Sequence, residues 1–518
     1  LASACSTSLR LNRQKEADFG FEVFAWAERV LDPKREGIKN MNKGKIKGEK
    51  SAAHLERQLT LFSAFILVVA NMIGTGIYTT SGFIIKELGD PGAMLLCWLL
   101  GGIFALCGAL CYGELGAMFP HSGGEYVFLR ESFGQAMAFL SGWISLIVGF
   151  SAPIAASAVA FATYFFKACP INTGGSVVIS LLGNNLVTIS PHTLLAVAII
   201  VFFSLIHSWG LFLGSKVQNG LTIFKIAFII LLVMAGFWFG RGAGENFLTQ
   251  LNLGTIFSDK FAVSLIFISF AYSGWNAAVY LGGEIKNPAR NIPLALFSGT
   301  FLVICLYLLL NAVFIYALPI TEMSGVLEVG ERAAAALFGH HISPYLAAAI
   351  SIGILSATSA MIVAGPRVYY AMAKDGIFFK QFAMVNPIHK TPSRSLFLQA
   401  SIAIFMVLTS AFDTLLIYIG FTLSLFAMMT VVGLMILRIK YPEAKREYKT
   451  FGYPFSPILF ILGNLWIIYY SIRSRLVVSL YGLGTIGLGY LVYLYFRKST
   501  KREDAEDPSA ALEVLNAE

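Results

Sequence analysis

Residues 71–77 read NMIGTGI (Asn71-Met72-Ile73-Gly74-Thr75-Gly76-Ile77) and sit inside an apolar run from about 60 to 86. That run is long enough to cross a bilayer, which takes about 20 apolar residues. Two glycines around Thr75 interrupt it. Each glycine inside a helix costs about 0.8–1 kcal/mol relative to alanine. A backbone polar group left unpaired in hydrocarbon costs several kcal/mol more, so a broken spanning helix persists only where it is buried in protein or lines a cavity. A second interruption of the same kind is FAYSGWN, Phe270 to Asn276, followed by Gly282-Gly283.

The composition is that of a membrane protein. Of 518 residues, 57% are hydrophobic and 13% charged, against about 25% charged in an ordinary soluble domain. The apolar residues fall into twelve runs, roughly 60–86, 93–118, 134–166, 191–213, 217–239, 260–283, 292–318, 344–372, 395–412, 414–437, 455–472 and 476–496. The net charge of +9 comes from Lys and Arg clustered in the short loops between runs. Such clustering orients a chain in a membrane and argues against nucleic-acid binding. With the N-terminus inside, the cytoplasmic side receives Lys43 to Arg57, Lys216, Lys286, Arg290, Arg367 to Arg394, Arg438 to Lys449 and the tail from Arg497. Glu322, Glu328 and Glu331 fall on the opposite side. Both termini are then cytoplasmic. The six cysteines show no CxxC spacing and no accompanying His cluster, so neither a metal site nor a disulfide framework is expected.

The two interruptions lie five spans apart, in spans 1 and 6. Five is odd, so a second five-span unit is inserted upside down relative to the first. That arrangement marks secondary transporters built from inverted repeats, whose paired broken helices hold the substrate. The free N–H groups of a half-helix favour an anion and its free carbonyls a cation, so a zwitterion suits the pair. Close helix packing through small residues is the competing reading of either glycine pair alone.

The motifs resemble the amino acid–polyamine–organocation (APC) superfamily, and most closely its L-type amino acid transporter-like branch and bacterial relatives. IGTGI at 73–77 is similar to that family's first unwound helix, and YGELGAMFPHSGGEYVFLRESFG at 112–134 to its second loop. FAYSGWNAAVYLGGEIKNPARNIP at 270–293 is similar to its sixth helix and the loop after it, and RVYYAMAKDG at 367–376 to the end of its eighth. The likeness covers about 55–475. It implies an all-α membrane protein of twelve transmembrane helices, a five-plus-five inverted repeat of LeuT type with broken helices 1 and 6, followed by two peripheral helices. The domain plan is a cytoplasmic segment 1–57, a transport core 58–437, peripheral spans 438–496 and a cytoplasmic tail 497–518. Met41, which opens a basic run before span 1, is expected to be the native start, leaving 1–40 as non-native or disordered sequence.

The resemblance also implies roles. The substrate-binding set is Met72, Ile73, Gly74, Thr75, Gly76, Phe270, Ala271 and Ser273. The N–H groups of Thr75 and Gly76 would receive a carboxylate, and the carbonyls of Met72, Phe270 and Ser273 an ammonium. Phe270 would gate the site, and Asn276 would brace the broken part of span 6. Lys225 lies about nine residues into span 5. A lysine at that depth costs at least about 2.5–3.5 kcal/mol unless it faces the bundle interior with a partner; the competing reading is a side chain that snorkels to the interface. In the family a lysine at this position replaces bound sodium and contacts the broken part of helix 1. Sodium-independent transport of amino acids follows, by exchange or with proton coupling. A polyamine or organic amine carrier and a non-transporting receptor of the same fold are the alternatives. No enzyme chemistry and no cofactor are expected; the partners are an amino acid and the membrane lipid of the cell membrane. A heavy-chain partner at Cys169 is not expected, because the loop around it matches poorly. The family often has two consecutive acids where this chain has Gly283-Glu284. Glu114, Glu125 and Arg130 read as structural ion pairs or gate elements, and His207 as a core histidine. Side-chain selectivity is expected in part from Ser356, Thr358 and Ser359 in span 8 and in part from span 3, where the small residues Ala155, Ala156 and Ser157 either leave room for a side chain or simply pack, as alanines in membrane helices usually do.

Overall fold

The run at 60–86 folds as three helices, not one. In the computed structural model, α1 (Leu61–Met72) starts at Thr60, whose hydroxyl accepts from the Ser63 N–H, and stops at Ile73. After Gly74 and Thr75 come α2 (Gly76–Thr79) and α3 (Ser81–Leu88), the latter ending at Gly89 with φ 66°. The structure describes residues 54–171, 175–181, 184–249, 253–326, 328–409, 411–474 and 476–506. The expected start at Met41, the segment 1–40 and the end of the tail lie outside the described residues.

The next helix, α4 (Pro91–Met118), begins where the sequence supplies both an N-cap acid and an N1 proline: the Asp90 carboxylate accepts from the Ala93 N–H. A short α5 (Glu125–Phe133) leads to α6 (Gln135–Ile144). Seven residues of π-helix, Ser145–Ser151, then join α6 to α7 (Ala152–Ala168) in one long span. The connection after α7 carries two antiparallel strands, β1 (Val177–Leu181) and β2 (Asn184–Ile189). Next come α8 (Pro191–Ser208), opened by a Ser190/Thr193 capping box, and α9 (Leu211–Phe239). The single turn α10 (Leu253–Ile256) precedes α11 (Asp259–Ala271), and the chain is irregular until α12 (Ala277–Tyr280). The second half continues with α13 (Pro288–Ala317), α14 (Ile320–Met323), α15 (Val329–Phe338), α16 (Ser343–Ala364) and α17 (Pro366–Lys374). It ends with α18 (Ser393–Thr409), α19 (Ala411–Lys440), α20 (Phe455–Ser474) and α21 (Leu476–Glu506).

The chain is a predominantly helical, multi-pass membrane protein. Among the described residues, ten helical stretches are long and apolar enough to cross a bilayer. They account for ten of the twelve expected runs. The other two are α11, which stops at Ala271 after 13 residues, and α18, which has 17. The core gathers around α1, which packs against α9, α13 and α16, while α13 also runs along α4 and α16 along α7.

Ion pairs, the first of them buried on both sides, tie these helices together. Arg367, counted above among the loop charges, is fully buried. Its Nε and Nη2 donate to the two oxygens of Glu284 at 2.7 and 2.9 Å, and Nη1 donates to the Val363 carbonyl at 2.6 Å. It is therefore a structural cation and carries no information on orientation. Glu114 accepts from Arg438 Nε at 2.9 Å and from the N–H and hydroxyl of Thr450 at 2.7 and 2.8 Å, joining α4 to α19 and the segment after it. Arg130 pairs with Asp375, which also accepts from the Tyr126 hydroxyl at 2.6 Å.

Candidate functional site

The two breaks clasp each other through glycines. A Cβ on Gly76 would lie 2.9 Å from Ala271 Cα and 3.1 Å from its Cβ, so only glycine lets the start of α2 approach the end of α11. The reciprocal contact is Gly274, at φ 95°, where a Cβ would lie 2.9 Å from the backbone C and O of Asn71. Gly74 differs from both, since a Cβ there would meet nothing within 4 Å. It faces the open space beside the breaks.

That space is a cavity of about 170 Å3. Met72, Gly74, Thr75, Gly76, Phe270, Ala271, Ser273 and Asn276 all line it, whereas Ile73 and Lys225 do not. Ile73 is buried behind the break. Its carbonyl accepts from Lys225 Nζ, which also donates to the Ala70 carbonyl at 3.2 Å. Lys225 is 1% exposed. Its ammonium therefore replaces, from outside the cavity, the helix hydrogen bonds that the break removes.

The polar groups of the lining residues divide by sign. Among the described residues, no acceptor takes the N–H groups of Thr75 and Gly76. Of the three expected acceptor carbonyls, two are already engaged. Met72 O accepts from the Gly74 N–H at 3.0 Å and the Tyr307 hydroxyl at 2.8 Å, and Phe270 O accepts from the Ser273 N–H at 3.0 Å. Ser273 O has no donor among the described residues. Asn71, unassigned above although it opens the quoted stretch, supplies a further acceptor. Its Nδ2 reaches Gly274 O at 3.4 Å, while its buried Oδ1 has no partner.

A family model described as amino acid permease matches residues 59–492. The chain belongs to the amino acid permease family. Among its relatives, it is 30% identical to the serine/threonine exchanger SteT of Bacillus subtilis (strain 168), over 86% of this chain and 98% of the relative. It is 30% identical to the mouse b(0,+)-type amino acid transporter 1, over 86% of this chain and 88% of that protein. With the human large neutral amino acids transporter small subunit 2 it shares 28%, over 85% of this chain and 80% of that one. The resemblance to the APC superfamily and its L-type branch is thereby borne out.

In this permease the remaining walls come from five further spans, among them α19, which lends Ile419, Leu423, Ser424 and Ala427. Ser145, Gly149 and Phe150 of the π-helical segment, with Pro153 and Ser157 of α7, form one side. Widened π turns are frequent at functional sites because they turn side chains out of the regular helical register. From α16 the lining residues are Ala357 and Met361. Ser356, Thr358 and Ser359 are instead buried in contacts elsewhere: Ser356 Oγ with Thr222 Oγ1 at 3.0 Å, Thr358 Oγ1 with Ile354 O, and Ser359 Oγ with His207 Nε2 at 2.8 Å. Ala155 is fully buried and Ala156 lies off the cavity. Phe460, Asn464 and Ile467 of α20, a helix placed at the periphery by the resemblance, complete the far wall with Phe104 of α4.

Glu125 is the acidic residue of the lining. Its Oε1 accepts from the Tyr112 hydroxyl and from Asn276 Nδ2, both at 2.7 Å. Asn276 thus braces the turn between α11 and α12 against α5. Burial pushes the Glu125 carboxyl above the usual carboxylate range, against the opposing pull of these hydrogen bonds. Its position in the wall could not be read from the sequence, because α5 lies between two runs and shows no apolar periodicity that fixes a face.

Proposed function

We propose that this permease is a secondary active transporter of amino acids that works by alternating access, without sodium. The observation that carries this reading is the division of free polar groups across one cavity. Two backbone N–H groups, at Thr75 and Gly76, and two acceptors, the Ser273 carbonyl and the Asn71 amide oxygen, are without partners among the described residues and belong to residues that line it. An α-carboxylate fits the first pair, strengthened by the positive end of the half-helix, and an α-ammonium fits the second. The names of its relatives, which include a serine/threonine exchanger and two amino acid transporters, support the same class.

The finer reading has twelve spans, with α1–α3 as span 1 and α11–α12 as span 6, in two inverted units of five and with spans 11 and 12 outside the repeat. Both termini are cytoplasmic. Sodium independence is supported by Lys225, whose ammonium already occupies the carbonyls that the break in span 1 exposes. Either exchange or proton coupling completes the cycle, and the printed name of SteT favours exchange. The test is uptake of labelled amino acids into liposomes holding the purified protein, with and without internal amino acid, sodium or a pH gradient. Uptake that rises with internal amino acid and ignores sodium is expected. An absolute requirement for sodium overturns the reading of Lys225, and transport of polyamines alone overturns the substrate class.

A further inference from the structure

Lys225 does not line the 170 Å3 cavity, yet it is buried, and among the described residues the acceptors of its Nζ are two backbone carbonyls. If the inner half of span 1 moves during transport, those carbonyls leave it, and a buried charge without partners is strongly unfavourable. A second cavity lies along the same face of α9. It measures about 20 Å3, enough for one water, which needs about 10–15 Å3 and two to four polar partners. Ser63, His207, Gln218 and Asn219 are among its walls. Three of their atoms are buried with no partner, His207 Nδ1, Gln218 Oε1 and Asn219 Oδ1. His207 and Gln218 are only 2% and 3% exposed. Gly214 keeps the histidine side open, since a Cβ there would lie 2.3 Å from Nδ1.

From this cavity a polar ladder climbs α9. Gln218 Nε2 donates to Ser356 O at 2.9 Å and to Thr222 Oγ1 at 3.2 Å, and Thr222 Oγ1 meets Ser356 Oγ at 3.0 Å. Gln218, Thr222 and Lys225 follow one another at helical spacing on one buried face. We propose that the small cavity binds a water molecule, shared by His207, Gln218 and Asn219, and opens a solvent route to the Lys225 ammonium that bypasses the substrate cavity. The water resolvates Lys225 when the carbonyls of Ala70 and Ile73 move away. That role, though not the water site itself, rests on the alternating-access reading.

Radiolytic hydroxyl-radical footprinting of the full chain in lipid nanodiscs tests it, because radicals born from a bound water mark the side chains beside it. His207 is expected to oxidise several-fold faster than Phe203, which is equally buried on α8. Equal, slow oxidation of the two overturns the water site. Gln218→Leu, or Asn219→Leu should the first fail to fold, is expected to bring His207 down to the Phe203 rate. It should also slow amino acid exchange in kcat with KM unchanged. A variant that loses the mark but exchanges at the wild-type rate overturns the resolvation role. A wild-type protein that is marked at His207 yet moves no amino acid overturns the transport reading, and the role with it, while the water site stands.

Discussion

Gly74 and Gly76 look alike in the sequence and do different work. Gly76 is a contact residue, pressed on Ala271, whereas Gly74 borders open space. Gly76→Val is expected to abolish uptake while membrane insertion, followed by surface labelling, continues. Gly74→Ala should insert normally and retain uptake. At Lys225 the expected cost is electrostatic: Lys225→Met leaves the Ala70 and Ile73 carbonyls without their donor. An unpaired buried group costs about 1–3 kcal/mol, so a clear fall in melting temperature and a loss of uptake of about tenfold or more are expected. Glu125 gives a pH signature. Because burial raises its value in the folded protein, its contribution to stability is present below the usual carboxylate range. That contribution is lost as pH rises through the raised value. Glu125→Gln is expected to flatten that decline in a series of thermal melts.

At the scale of elements, the breaks were legible and their neighbours were not. Glycine weakens a helix interior, and two such interruptions recur five runs apart, so Gly74-Thr75-Gly76 and Ser273-Gly274 stood out as a pair even though packing alone explains either one. The π-helical segment SLIVGFS, Ser145–Ser151, carries no such mark, since its apolar residues serve an ordinary helix equally well. Nor could the lining face of α20 be chosen, because a helix apolar all round has no amphipathic stripe to orient it. The selectivity residues expected on span 8 were displaced by one position for the same reason: Ala357 faces the cavity and Ser356 faces Thr222. The clasp between elements predicts that Gly274→Ala is severe. It combines a positive φ of 95° with a Cβ 2.9 Å from the Asn71 backbone, and backbone strain alone is worth about 1–3 kcal/mol. Loss of uptake with a lowered melting temperature is the expected outcome.

Across the whole molecule, long-range pairs such as Glu284 with Arg367 fix how the helices sit around the breaks. An arginine at a helix end reads as a loop charge, and its acid, 83 residues away, leaves no trace in the local pattern. Breaking such a buried pair from one side costs about 3–5 kcal/mol, while replacing both partners by apolar residues is far milder. Arg367→Met should therefore destabilise the protein strongly, and adding Glu284→Leu should restore much of the loss, as read by melting temperature. The central claim, however, is that the two breaks together read the α-carboxylate and the α-ammonium of an amino acid. Competition against labelled amino acid exchange in liposomes tests it most directly, using one amino acid, its decarboxylated amine and its N-acetyl derivative. The free amino acid should compete best, with each derivative weakened by about tenfold or more for the charge-assisted hydrogen bonds it loses. Equal competition by the decarboxylated amine would contradict a carboxylate cradle at Thr75 and Gly76.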